Sequence, residues 1–134
     1  MDFSQLANLL RMQPKADSAG QPIDVKRPIV FDKGGYEPHT ELSMTATGHE
    51  LGLPQANALY NVPTIYNGQI NDPNTFAGMN AIRKGAMQTP NAYKAYSNPK
   101  EAVKDAIQRS KDIGQERGDE LRRAVLQRYM EELK

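Results

Sequence analysis

Apolar positions along the chain fall into patches of two different periods, separated by stretches with no period at all. In residues 2–12, Phe3, Leu6, Leu9 and Leu10 recur at helical spacing and Pro14 ends the run, which predicts a short amphipathic helix. About eleven residues are too few for a helix to persist alone in water, so this one has to dock, on the chain's own body or on a neighbour. Residues 13–38 hold four prolines (Pro14, Pro22, Pro28 and Pro38) among polar residues. They read as an extended arm in which only Ile29 to Phe31 is strand material and Gly34-Gly35 marks a turn.

From Glu41 the period becomes two. Leu42, Met44 and Ala46 alternate with Ser43, Thr45 and Thr47, as in a half-buried strand. Leu59 to Tyr66 reads as a second strand, which Pro63 places at an edge or a bulge. Asn67-Gly68 closes it in a tight turn, and Gln69-Ile70 begins a short return strand. Tyr60, Val62, Thr64 and Tyr66 share one face of that strand, and Asn61, Pro63 and Ile65 the other. A sheet this small needs a helix over its apolar face. Residues 74–88 predict that helix, with Phe76, Met79, Ile82, Ala86 and Met87 at helical spacing around Gly78 and Gly85.

The last 37 residues carry the clearest pattern. Asn98 is a good cap, Pro99 suits the first helical position, and Glu101 stands three past the cap, where its carboxylate can reach back. Ala102, Val103, Ala106, Ile107, Ser110 and Ile113 form one narrow stripe, on which large strand rings such as Tyr60 and Tyr66 could lie. Beyond Gly114 and Gly118 a second stripe follows, of Leu121, Val125, Leu126, Tyr129, Met130 and Leu133. This predicts two helices or one kinked long helix, the glycines either breaking it or admitting another backbone. The second stripe has its partner in another copy or chain, or in the first half as an antiparallel pair. The chain thus divides into a short helix and arm (1–38), a β-rich module with one covering helix (39–97) and a helical assembly segment (98–134). The fold class is α+β: a small antiparallel sheet of two or three strands covered by helices.

Composition changes this picture in one respect. Leu, Ile, Val and Phe number 25 of 134 residues and there is no Trp, near the level at which chains stop burying enough surface to offset ordering entropy. The apolar stripes at the two ends are therefore candidate interaction residues, namely Phe3, Leu6, Leu9 and Leu10 with Leu121, Val125, Leu126, Tyr129, Met130 and Leu133. Through them other chains would complete the fold. The 17 basic and 16 acidic residues nearly cancel, unlike the basic footprint of a dedicated nucleic-acid binder. In 98–134 the two signs are interspersed, as on a solvated helix face with weak neighbouring ion pairs. No stretch reaches the roughly 20 apolar residues of a membrane span, no signal peptide is visible, and the absence of cysteine fits a reducing cytoplasm.

Candidate chemistry is sparse. His39 and His49 are the only histidines. His49-Glu50-Leu51-Gly52 superficially matches half of a zinc-protease helix, but position 53 is Leu where that chemistry needs a second His. A metal shared by His39, His49 and Glu41 is weighed against two solvent-facing loop histidines, and the plainer reading is taken: no metal, no cofactor. Ser43 lacks the strand-to-helix elbow of a serine nucleophile. Glu37, Glu41 and Glu50 would make a glycosidase pair only if the fold brought two of them together in a deep pocket. The expectation is a non-enzyme with no catalytic residues.

Three strings together carry a resemblance: Glu41-Leu42-Ser43-Met44-Thr45, then Tyr60-Asn61-Val62-Pro63-Thr64-Ile65-Tyr66-Asn67-Gly68, then Tyr96-Ser97-Asn98-Pro99-Lys100-Glu101-Ala102 through Arg109-Ser110. They resemble a small module of bacteriophage virion proteins in which an E-x-S-x-T strand leads to an N-[IV]-P-T-[IL]-Y-x-G strand, a central helix and a final helix. That module occurs alone or inside very long virion polypeptides, including those of short-tailed phages that eject internal proteins with their DNA. The likeness covers residues 41–110, with Leu53-Pro54-Gln55-Ala56-Asn57 inserted between the strands. It implies a virion component made in the bacterial host cytoplasm and acting in many copies. Its partners would be other virion proteins and itself, with room for non-specific contact with packaged DNA. It implies no catalytic residues. Rival readings are a tail adaptor or head decoration protein, a small virion-associated lytic enzyme using His39, His49 and Glu50, and a cytoplasmic regulator of a host protein.

Overall fold

A computed structural model describes residues 15–133, apart from Ala19, Val25, Lys26 and Lys33; the helix predicted at 2–12, with Phe3, Leu6, Leu9 and Leu10, lies outside the described residues. The fold is mixed α and β, built from two-stranded antiparallel ladders and one long C-terminal helix.

The arm is folded more than its prolines suggested. β1 (Lys15–Ala16) pairs with β2 (Pro22–Ile23), and β3 (Val30–Phe31) with β4 (Pro38–His39). Ladders two residues long lose little when a proline withholds one donor, so Pro22 and Pro38 sit in them without difficulty. Only Val30 and Phe31 fall where the sequence offered strand material.

The module holds the longest ladder, β5 (Ser43–Thr47) against β6 (Leu59–Pro63), in register from Ser43↔Pro63 to Thr47↔Leu59. Between them Thr47 caps a one-turn helix, α1 (Gly48–Leu51), in a reciprocal capping box with Glu50. Gly48 is required there by a close approach: a Cβ would stand 2.0 Å from the Gln55 carbonyl oxygen. The inserted segment 53–57 folds onto that spot. The predicted strand 59–66 is interrupted at Thr64, whose amide and hydroxyl both donate to the Leu42 carbonyl, at 2.6 and 3.0 Å. Beyond it β7 (Ile65–Tyr66) turns back on β8 (Gln69–Ile70) through Asn67 and Gly68. Both turn residues have positive φ, 54° and 72°, as a primed hairpin turn demands.

Thr75 caps α2 (Phe76–Met87), its hydroxyl accepting from the Gly78 amide. Ile82 and Ala86 of α2 join Ala46, Leu51, Leu53, Tyr60 and Val62 in the principal core cluster. Burial of these side chains against one another is the main apolar stabilisation of the module. Phe76 does not share in it: although the spacing put it on the packed face, it is 85% exposed.

α3 (Pro99–Glu132) is a single helix of 34 residues, about 50 Å long at 1.5 Å per residue. Neither a helix pair nor a break at the glycines occurs. A Cβ at Gly114 would meet open space, so no described backbone approaches there. Asn98 and Pro99 start the helix as expected. Its first turns cover the face of the β5–β6 ladder opposite α2, where the Asn61 amide donates to the Ala102 carbonyl at 2.8 Å. The rings of Tyr60 and Tyr66 therefore do not lie on the Ala102/Ala106 stripe. Tyr60 enters the core beside α2. Tyr66 packs against Gly85, where a Cβ would fall 2.2 Å from its ring. Among the described residues no helix is long and apolar enough to cross a membrane.

Candidate assembly surface

One side of α3 is clasped by the chain's own arm, which runs beside the helix in the same direction. At the near end both the amide and the hydroxyl of Ser18 donate to Asp112, at 2.7 and 2.8 Å. Further along, Arg117 donates to the Arg27 carbonyl at 2.7 Å and to Glu120 at 2.8 Å. At the far end the Arg128 guanidinium lies 4.6 Å from the Phe31 ring centre, and Tyr36 stacks on Tyr129 with ring centres 4.2 Å apart. The Tyr36 hydroxyl donates to Glu132.

Arg109 is the junction of arm, module and helix. It grips Glu41 with two nitrogens, at 2.7 and 3.1 Å, Asp17 with a third contact at 2.9 Å, and the Pro22 carbonyl at 2.9 Å. Burial pushes the guanidinium's pKa down, but the Glu41 and Asp17 carboxylates outweigh it, and the net shift is upward. Arg27 also reaches toward Glu41, at 3.7 Å, and donates to the Ile65 carbonyl at 2.7 Å. Asp112 is held below the usual carboxylate range, first by the Ser18 amide and then by the Gln108 amide and the Ser18 hydroxyl. Tyr96, bridged to Leu59, donates to Asp105 at 2.7 Å. Burial first, and then that hydrogen bond, raise its phenol far above the ordinary value.

The expectation of a wholly solvated charged face on this helix is thus corrected. Arg117 is buried and Arg109 largely so, because the arm lies over them. The one local cue was position: Arg109 stands in the Arg109-Ser110 string that carried the resemblance, whereas Arg117 had no cue.

The far half of α3 divides the predicted interaction residues. Leu121 and Val125 are half-buried, and Tyr129 is engaged by Tyr36. Leu126, Met130 and Leu133 remain 61%, 58% and 86% exposed. Leu126 and Met130 line a shallow groove with Arg123, Gln127 and Glu131. Nearer the start of the helix, Val103 and Ile107 leave the stripe of Ala102, Ala106 and Ile113 and stand exposed, in a groove edged by Lys100, Lys104 and Lys111. The helix therefore carries two exposed apolar strips, where the sequence suggested one inner and one outer.

The residues weighed for catalysis are dispersed. Glu41 is held by Arg109 and Arg27. Glu50 accepts from the Thr47 amide and hydroxyl in the α1 capping box. His49 is exposed on α1. No family model, no curated protein and no solved structure matches the chain.

Proposed function

We propose that the chain is a non-enzymatic structural component of a bacteriophage particle, an internal virion protein associated with the ejected core or tail channel and present in many copies. The observation that carries the assembly part of this reading is the exposed strip of Leu126, Met130 and Leu133 on a helix longer than the module it covers. A chain with so few large apolar residues gains by burying these against other chains. Repeated heterologous contacts close into a ring, which suits a subunit whose arm and helix lie side by side. The virion setting rests on the likeness of the strand string from Asn61 to Gly68 to that of the phage module. Partners on this reading are copies of the chain and other virion proteins. The interspersed charges of α3 leave packaged DNA to non-specific contact.

The test is incorporation. In purified particles of a phage that encodes the chain, mass spectrometry should find it at a fixed stoichiometry. Leu126→Glu with Met130→Glu should reduce that amount tenfold or more, while the soluble chain keeps its α2-centred core. Absence of the wild-type chain from particles, or undiminished incorporation of the double variant, would overturn the proposal.

A further inference from the structure

The hairpin of β3 and β4 places three ligand-bearing side chains together by register alone. Phe31 pairs with Pro38 and Val30 with His39, so Asp32 and Glu37 face each other across the next position. Side chains two apart share a face, which puts Glu37 and His39 on one side together with Asp32. Phe31, one position off, turns the other way, toward Arg128 of α3. The outcome is a cluster in which one ligand atom each of Asp32, Glu37 and His39 lies within 4.8 Å of the others.

A second observation singles out His39. Its Nε2 is buried and makes no hydrogen bond, although the Asp32 Oδ2 stands only 3.2 Å away. That contact is an ion pair when the imidazole is protonated, and with a neutral imidazole the same separation fits two ligands of one ion. Nitrogen and oxygen each about 2.1 Å from a metal sit about 3.0–3.4 Å apart. A buried neutral ring nitrogen that makes no hydrogen bond costs free energy, and an ion would relieve that cost. The imidazole side chain is 13% exposed and that of Asp32 48%, so the site opens to water on its carboxylate side and has room for water ligands.

We propose that Asp32, Glu37 and His39 bind a divalent first-row cation, Zn²⁺ in preference to Mg²⁺, and that the ion staples the arm to the far half of α3. One imidazole with two carboxylates suits such an ion, whereas Mg²⁺ favours oxygen ligands alone. The staple follows from Tyr36, which lies in the loop between the ligands and stacks on Tyr129. Fixing the loop fixes that ring. This departs from the expectation of no metal site, and it uses neither His49 nor Glu41. It stands independently of the virion reading.

Calorimetric titration of the full chain with ZnCl2 and MgCl2 tests it. One Zn²⁺ per chain should bind with micromolar affinity, and Mg²⁺ at least about tenfold more weakly. His39→Ala and Glu37→Gln should each weaken Zn²⁺ by about 10–100-fold, the scale of a disturbed metal shell, while His49→Ala changes nothing. Glu37 is exposed, so Glu37→Gln keeps the test valid if His39→Ala misfolds. Zn²⁺ should also slow hydrogen exchange in residues 32–39 and 129–132 of the wild-type chain. No binding at millimolar Zn²⁺, equal affinity in Glu37→Gln, or loss in His49→Ala would overturn the site. Unchanged exchange at 129–132 would overturn the staple.

Discussion

Arg109 draws together segments more than sixty positions apart in the chain, since its partners Asp17 and Glu41 lie 92 and 68 residues before it. The Asp17 and Glu41 side chains are only 4% and 9% exposed, so removing the guanidinium takes the nearest positive charge from two carboxylates shielded from water and leaves Glu41 with the longer Arg27 contact at 3.7 Å. Arg109→Ala should therefore cost about 3–5 kcal/mol of unfolding free energy in urea titrations, the scale of a broken buried pair. Arg109→Lys should recover less than half, because an ammonium cannot match the two-nitrogen grip on Glu41. A variant within about 0.5 kcal/mol of wild type, the usual range for surface substitutions, would show that the junction holds nothing. Its burial was not legible in the sequence. Alternating signs along a helix look the same whether the face meets water or an arm contributed by residues some ninety places earlier. Asn67-Gly68 was legible because its chemistry is local: two positive φ values are demanded within the dipeptide itself.

At the scale of elements, the same divide between local and distant causes decides what the pattern revealed. The caps at Asn98 and the strand at 43–47 stand where the sequence put them, since both rest on neighbours a few residues away. The break at Thr64, the entry of Tyr66 against Gly85 and the exposure of Phe76 all depend on how one element meets another. The arm depends on such meetings most of all, because nearly every described contact it makes with α3 is polar or aromatic. Its near end is held by Asp112, whose pKa the Ser18 amide depresses. A carboxylate with a depressed folded-state pKa contributes stability that is complete above its unfolded value, near 3.9, and that is lost as pH falls through the lower folded value. The protection factor of the Ser18 amide should thus be level from neutral pH down to about 4 and fall below it. Asp112→Ala should lower it at neutral pH toward the acid value of the wild type and flatten the profile. A wild-type profile that already falls between pH 7 and 5 would mean that another group sets the docking.

For the whole molecule, the thin apolar content anticipated from composition has a definite location. Among the described residues the largest fully buried side chains are Leu51, Val62 and Ile82, all in the module, and Ile113 is the last buried apolar residue of α3. Past that point the helix and arm hold each other by guanidinium, carboxylate and ring contacts, so part of the support expected from neighbouring chains comes from within. Polar contacts open more readily than a packed core, and the exposed strip of Leu126, Met130 and Leu133 gives association something to stabilise. Helix content and oligomerisation should therefore rise together. Dilution from about 100 µM toward 1 µM should lower the helical circular dichroism signal as light scattering reports smaller species, with stabilisation following mass action. Leu126→Glu with Met130→Glu should hold the chain monomeric with its helix signal at the dilute value throughout. A monomer whose helix signal is full at 1 µM and untouched by those substitutions would mean that the arm alone completes the fold.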